Sequence, residues 1–401
     1  MNKNIKLAVA GAVLALSASA ANAGIIIPAG EWTVDLSGNV NSYAIWQKSS
    51  GTAVDGGLAG SRGAPIANGT TQAAQSTGLL PNFLSLSGST RQNDLDVTWL
   101  ISLNPGGYTS RSASGGSGTE HRQAFMTFGD KSWGSVKIGK DLGIFASDAI
   151  LNDMTLLGVG SLGTNAAIGA TTTLGRIGSG FQYADWKQQI AYTTPNFNGF
   201  QATVGITQAW GAWASSGLSQ STAKTAGASP AFEGKASYSF AANDVTGKIW
   251  VSGFSQKVDG VRQDENQAWA ADIGANIKVA GLDLVGYYYG GEGVGTTFML
   301  RDGYTTTGYK RDSDGGYVQA KYTLPFKTTV GASWGISNLD KVSSETASTL
   351  VKENEMWTLG LYHPLTKHVN LVAEYSHVTS TSQTNVEGTT NVGSLGGILF
   401  F

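Results

Sequence analysis

The sequence predicts an all-β fold: a transmembrane antiparallel β-barrel of about sixteen strands, with a long third extracellular loop folded into the lumen. Three observations carry this. Apolar and polar residues alternate in segment after segment from Trp32 to Phe401, the period of a strand with one dry and one wet face. Short turns and long Gly/Ser-rich loops alternate strictly between these segments. Finally, the chain is poor in charge (13%) and rich in Gly (55 of 401), yet no apolar run reaches the roughly 20 residues of a membrane helix. A membrane protein without such a run crosses the bilayer with strands, and those strands need be only half apolar.

The chain begins MNKNIKLAVAGAVLALSASAANA. Lys3 and Lys6 give a charged start, Leu7 to Leu16 an apolar run, and Ala21-Asn22-Ala23 a small-residue cleavage site, so residues 1–23 read as a secretory signal. The barrel domain is then 24–401. Loss of Lys3 and Lys6 takes the formal charge from −2 to −4, which gives no electrostatic case for nucleic acid as a partner. The absence of cysteine excludes a disulfide scaffold and a thiolate metal site.

Glu31 to Gln47 opens the alternation, with Trp32, Val34, Leu36 and Val40 on one face and Thr33, Asp35, Ser37 and Asn39 on the other. It is longer than an average soluble strand of roughly 5–6 residues and suits a tilted membrane strand with an extension. Strands follow at Phe83–Thr90 and Leu95–Asn104, joined by the turn Arg91–Asp94. His121 to Lys140 is a hairpin turning at Asp130–Trp133, and Phe181 to Ile206 is another, turning at TTPNFNG. Later strands are expected at Phe232–Phe240, Val245–Gln256, Asn266–Val279, Leu282–Tyr289, Gly315–Leu324, Thr328–Ile336, Glu355–His363, His368–Val378 and Val392–Phe401. With the N-terminus periplasmic, every short turn falls on the periplasmic side and every long loop outside. Tyr43, Trp46, Trp133, Tyr192, Tyr287, Tyr362 and Tyr375 stand near strand ends, as interfacial aromatic girdles do.

Between the two hairpins lies Asp141 to Ser179, a loop too long for a simple connection. About sixteen strands enclose a lumen that side chains alone do not fill, so an inward loop is what narrows it. Ser147 is placed to cap a short helix, and Ile150, Met154 and Leu157 recur at helical spacing. That stripe is expected to pack on the inner wall, leaving Asp148, Asn152 and Asp153 towards water.

Several motif matches lack their context. GVGSLG at 158–163 links no strand to a helix in a βαβ unit. GASWG at 331–335 lies inside an alternating strand rather than at a strand-to-helix elbow. His121, His363, His368 and His377 are scattered without metal-ligand spacing, and Asp312-Ser313-Asp314-Gly315 lacks the closing Glu of a calcium loop. No cofactor, no metal and no catalytic residue is expected.

At HRQAFMTFGDKSWGSVKIGKD the chain resembles the RQAFVGL–turn–GxVxxGR hairpin of the general, trimeric Gram-negative porins. The following YTTPNFNGFQATVG resembles their Y-x-S-P-x-F-x-G-F turn and strand, and Phe401 resembles their C-terminal aromatic residue. The resemblance implies an outer-membrane homotrimer, surrounded by lipid, whose water-filled channels pass small hydrophilic solutes and ions by passive diffusion. It implies no enzyme. By position, Arg122 and Lys140 fall on the wall of the constriction, and Arg176 is a third wall cation; alternation adds Lys137. The acidic P-E-F-G-type segment of the relatives is absent, and Asp148 and Asp153 are the nearest acids in the loop. Ser85 stands where many relatives have arginine. These charges predict a mild anion preference. The alternatives are a substrate-specific outer-membrane channel, suggested by Met154–Leu162 and Tyr287–Tyr289, and a barrel adhesin or receptor using its outer loops.

Overall fold

A computed structural model describes residues 24–60, 69, 71–105, 119–162, 172–212 and 229–401. Residues 1–23, read above as a secretory signal, and Gly163 of the GVGSLG match lie outside the described residues. Sixteen strands form one closed antiparallel wall. They are β1 (Trp32–Gly51), β2 (Phe83–Gln92), β3 (Leu95–Pro105), β4 (Ala124–Asp130), β5 (Gly134–Leu142), β6 (Trp186–Thr193), β7 (Phe200–Thr207) and β8 (Ala231–Ala242). The second half is β9 (Val245–Lys257), β10 (Gln267–Val279), β11 (Leu282–Glu292), β12 (Asp312–Thr323), β13 (Thr329–Leu339), β14 (Val351–Pro364), β15 (Val369–Ser382) and β16 (Glu387–Phe400). Short accessory strands occur at Ile25–Ala29, Thr71–Ser76 and Thr119–Glu120.

Each strand pairs with its sequence neighbours, and β16 returns to β1 with Phe400 opposite Asn39 and Gly388 opposite Gly51. That last ladder removes the open edge. In hydrocarbon an unpaired amide has no water to bond, so closure is a requirement and not an ornament. At the periplasmic end, Phe401 and Gly38 exchange both backbone hydrogen bonds and lock the seam. Three periplasmic turns have only two residues, Asn93-Asp94, Asn243-Asp244 and Ala280-Gly281, and in the first and last of these both residues have positive φ. Such turns match the right-handed twist of the flanking strands.

The pleat sorts the side chains. On β10, Trp269, Ile273 and Ile277 face out and are exposed, while Ala270, Asp272 and Asn276 face in and are buried. Several strands run further than their hydrophobic pattern suggests. β14 starts at Val351 rather than Glu355, and β16 starts at Glu387 rather than Val392. Their outer ends are polar, because the ladder continues above the apolar belt where alternation no longer has a dry side to mark. Ile398 and Phe400 point to the lumen side near the periplasmic end, yet both are buried within an apolar cluster that includes Leu79 and Leu80.

The outward face sets a clear stability expectation. Ile273→Arg places a cation at the centre of β10 against lipid and is expected to cost about 2–4 kcal/mol, whereas Ser237→Asn on the lumen face of β8 should stay within about 0.5 kcal/mol. Urea unfolding from vesicles compares the two; equal costs would mean that the face assignment is wrong.

Candidate functional site: the lumen and its inward loop

The segment after β5 crosses the lumen and is held by inward-facing side chains of many strands. Two glutamates hold it first. Glu233 of β8 accepts from the backbone N–H groups of Ile144 (2.7 Å) and Phe145 (2.8 Å), and also from Lys187 Nζ (2.6 Å) and Thr207 Oγ1 (2.9 Å). Glu374 of β15 accepts from the N–H groups of Val159 (2.7 Å) and Gly160 (2.9 Å) and from Tyr362 Oη (2.7 Å). A chain that leaves its sheet must find partners for its amides, and here wall carboxylates supply them, two amides each. Between these points Tyr317 Oη donates to Ala149 O (2.8 Å), Gln319 bonds both Met154 N (2.7 Å) and Asn152 O (2.9 Å), and Tyr43 Oη donates to Leu157 O (2.6 Å).

The loop contains α1 (Ser147–Asn152) and a 3-10 turn, Met154–Leu157. Ser147 is not the cap. The N-cap is Ala146, with φ of +60° and no side-chain bond, and Ser147 Oγ instead donates to Ile144 O (2.8 Å). Ile150 and Met154 are buried as their spacing suggested, with Leu157 partly so. Asp148 and Asp153, expected towards water, are both buried, because Asp148 meets two wall lysines and Asp153 an arginine of the loop's return arm.

Asp148 accepts from Lys235 Nζ (3.0 Å) and from Lys248 Nζ. Burial pushes its carboxyl up, but the two ammonium groups outweigh this and hold it below the usual carboxylate value. Asp153 caps the 3-10 turn through Thr155 N (3.0 Å) and lies 3.9 Å from Arg176 Nε. There burial wins, and the Asp153 carboxyl is raised although Arg176 is close.

The six sequence-selected residues therefore divide. Lys137 lies on the lumen wall, with Nζ bonded to Asp141 and 4.8 Å from the Phe125 ring centre. Asp148 is on the loop, and both line the same cavity. Arg176 is fully buried: it donates to Met356 O (2.9 Å) and to Ser333 Oγ, with its guanidinium over Tyr317. With Asp153 it is a strut between loop and wall rather than an open pore cation. Lys140 is a correction. Lys140 is three residues from Lys137, so the pleat puts it on the opposite, outer face, in register with Ala124 and Gln188. Arg122, just before β4, pairs with Glu120 (2.8 Å) and lies 5.8 Å from the ring of Trp186; it is not among the residues that line the cavity below the loop.

Sequence reasoning missed Lys235 and Lys248. Alternation could have found them: Glu233, Lys235 and Ser237 share the inward face of β8, and Lys248 lies on the β9 face opposite Ile249 and Val251. It also took Gly290–Asp314 as a plain outer connection. Part of that segment packs inward, where Gln182 Nε2 donates to Val294 O (2.8 Å) and Tyr183 N to Thr297 O (2.9 Å). Tyr287 and Tyr289 are buried on the inward face of β11, whereas Tyr288 faces out.

A cavity of about 1030 Å³ remains below the loop. Lys137, Asp148, Lys235 and Lys248 line it, and so do Asp130, Lys131 and Asn196 of periplasmic turns, so it faces the periplasm. The loop approaches its Glu374 anchor closely at Gly158, where an added Cβ would lie 2.1 Å from Glu374 Oε1. Gly158→Ala is expected to push the loop off this anchor. Hydrogen exchange at Val159 and Gly160 should then rise about tenfold or more, with barrel unfolding unchanged; unchanged exchange would show that the side chain gives way instead.

Comparison with known proteins places these features. Among solved structures, the outer membrane channel DcaP of Acinetobacter baumannii superposes with a TM-score of 0.68 at 15% identity, covering 93% of this chain and 99% of its own. The anion-selective porin of Comamonas acidovorans gives 0.61 at 15% identity, covering 92% and 100%. OmpF of Salmonella typhi, in complex with daunomycin, gives 0.57 at 12% identity, covering 94% and 100%. At such identities the likeness is one of fold. A comparison with curated protein sequences finds no match. The family model described as Gram-negative porin matches residues 9–383, and with the closed sixteen-stranded wall and its inward loop this makes the chain a member of the Gram-negative porin family, an outer-membrane channel for passive diffusion.

Proposed function

We propose that the channel favours small anions, and that its constriction is formed by Lys137 on β5 together with the cluster of Asp148 on the loop, Lys235 on β8 and Lys248 on β9. The observation that carries this is the two-to-one ratio at Asp148. One carboxylate faces two ammonium groups, so the cluster keeps a net positive charge beside the open cavity. In a narrow aqueous lumen with low-dielectric walls such a charge raises the local concentration of anions. Asp153 and Arg176 contribute position rather than field, because they pair with each other and Arg176 is fully buried off the cavity lining. Lys140, on the outer face of β5, contributes little to the passing ion.

The oligomer we infer is a homotrimer, reached after export with removal of residues 1–23. Its support is the porin membership and the resemblance at the hairpin 121–140. The apolar residues that cover the outer wall, such as Leu86, Ile101 and Met126, suit burial against either lipid or a second copy.

Reversal potentials across a salt gradient, recorded from refolded protein in planar bilayers, test the ion preference. Wild-type protein should be anion-selective. Asp148→Asn should increase the selectivity, Lys235→Gln with Lys248→Gln should reduce it, and Lys137→Gln should reduce it more than Lys140→Gln. Cation selectivity in the wild type would overturn the proposal. Equal effects of the last two substitutions would overturn the placing of Lys140 outside the pore.

A further inference from the structure

The lysines of the lumen do not end at the constriction. Lower on the same wall, Asp283 of β11 stands between Lys278 of β10 (3.8 Å) and Lys321 of β12 (3.2 Å). Asn276 of β10 donates to the same carboxylate (2.5 Å). All four residues line the cavity below the loop. Their height follows from the topology: Lys278 and Asp283 flank the two-residue turn Ala280-Gly281, and Lys321 lies two residues before the end of β12. These are periplasmic ends. The Lys278 side chain is 58% exposed and its contact with Asp283 is long, so its ammonium group is accessible to solute.

The arrangement repeats the constriction's ratio, again two lysines to one aspartate. It is also continuous with it. Lys248 and Asn276 are directly opposite each other across β9 and β10. Lys278 is two residues further along β10, a diagonal neighbour of Lys248 at roughly 7–8 Å. On the opposite side of the cavity the acids are engaged: Arg91 holds Asp96 (2.8 Å) and Asp130 (3.0 Å). Lys131 and Lys137 are the other cations that line it.

We propose that Lys278 and Lys321 form a second anion station, on the periplasmic side of the constriction. It takes compact solutes with two or more anionic groups, one group at Lys278 and Lys321 and another at Lys248. This rests on the anion-preferring reading of the lumen and adds to it a site, a solute class and a direction. A polyanion arriving from the periplasmic side meets the station before the constriction. One arriving from outside must first pass the inward loop.

Single-channel recording tests this with inorganic pyrophosphate or citrate added to one side at a time. Block should appear at a lower concentration from one side than from the other. In a Lys278→Gln, Lys321→Gln variant, the half-blocking concentration on the sensitive side should rise about tenfold, and the difference between sides should vanish. Lys321→Arg, which keeps the charge, should retain the block and controls for folding. Block by pyrophosphate alone would assign the station to phosphoryl groups, and block by citrate alone to carboxylates. Anion-selective channels blocked equally from both sides, or blocked unchanged in the double variant, would overturn the station while leaving the proposed function intact. A wild-type channel without anion selectivity would overturn the proposed function itself.

Discussion

Everything in this molecule depends on where backbone amides find partners. In the wall the solution is a ring: sixteen antiparallel ladders closed by β16 on β1. Closure frees the sequence from being apolar throughout. Only the outward residue of each pair meets lipid, which is why a chain with 41% hydrophobic residues can span a membrane. The inward residues are then available for charge.

The same requirement governs the loop. A segment that leaves the wall carries unpaired amides into the lumen, and a loose loop would satisfy them with water. Here Glu233 and Glu374 each take two consecutive amides, one pair near the loop's start and the other after its helical turns. The two anchors differ in chemistry. Glu233 has Lys187 as counter-charge at 2.6 Å, whereas Glu374 has amides and Tyr362 as its partners. Buried ion pairs add little net stability but are costly to break, because removal of one partner leaves the other charged and desolvated. The loop's position is thus set by polar groups whose loss is expensive, and Gly158 and Ala146 give the backbone the room and turn it needs at either end.

Much of this was legible in the sequence, for a simple reason. A two-residue period and a strict short–long alternation of connections leave few ways to arrange strands in a bilayer, so the strand order followed from pattern alone. Strand ends were less legible: above the membrane both faces are wet, and the extensions at Val351 and Glu387 carry no alternation to read. The site was legible only in part. Lys137 and Asp148 line the cavity, and Lys137 was picked out because parity was applied to it. Lys140 and Arg122 were placed by motif position, and the pleat sends Lys140 to the other face of the sheet. Lys235 and Lys248 carry no motif, yet the parity of β8 and β9 was enough to bring them inward. Pairings such as Asp153 with Arg176 depend on how the loop crosses the lumen, and no local pattern encodes that.

The charges that result take two forms in the described lumen, buried struts and cavity-lining clusters. Arginine at the loop's far end is buried, forked to a carbonyl and a hydroxyl, and works as a rigid strut. Lysines line the cavity, where a flexible stem and a compact ammonium group suit transient contact with passing solute. Their carboxylates matter as much as they do. Asp148 and Asp283 hold pairs of ammonium groups that would otherwise repel each other, and in doing so they leave each pair with excess positive charge. A wall of unpaired lysines would bind anions tightly and release them slowly. Conduction needs sites that attract without trapping, and two lysines on one aspartate provide such a site twice along the same wall.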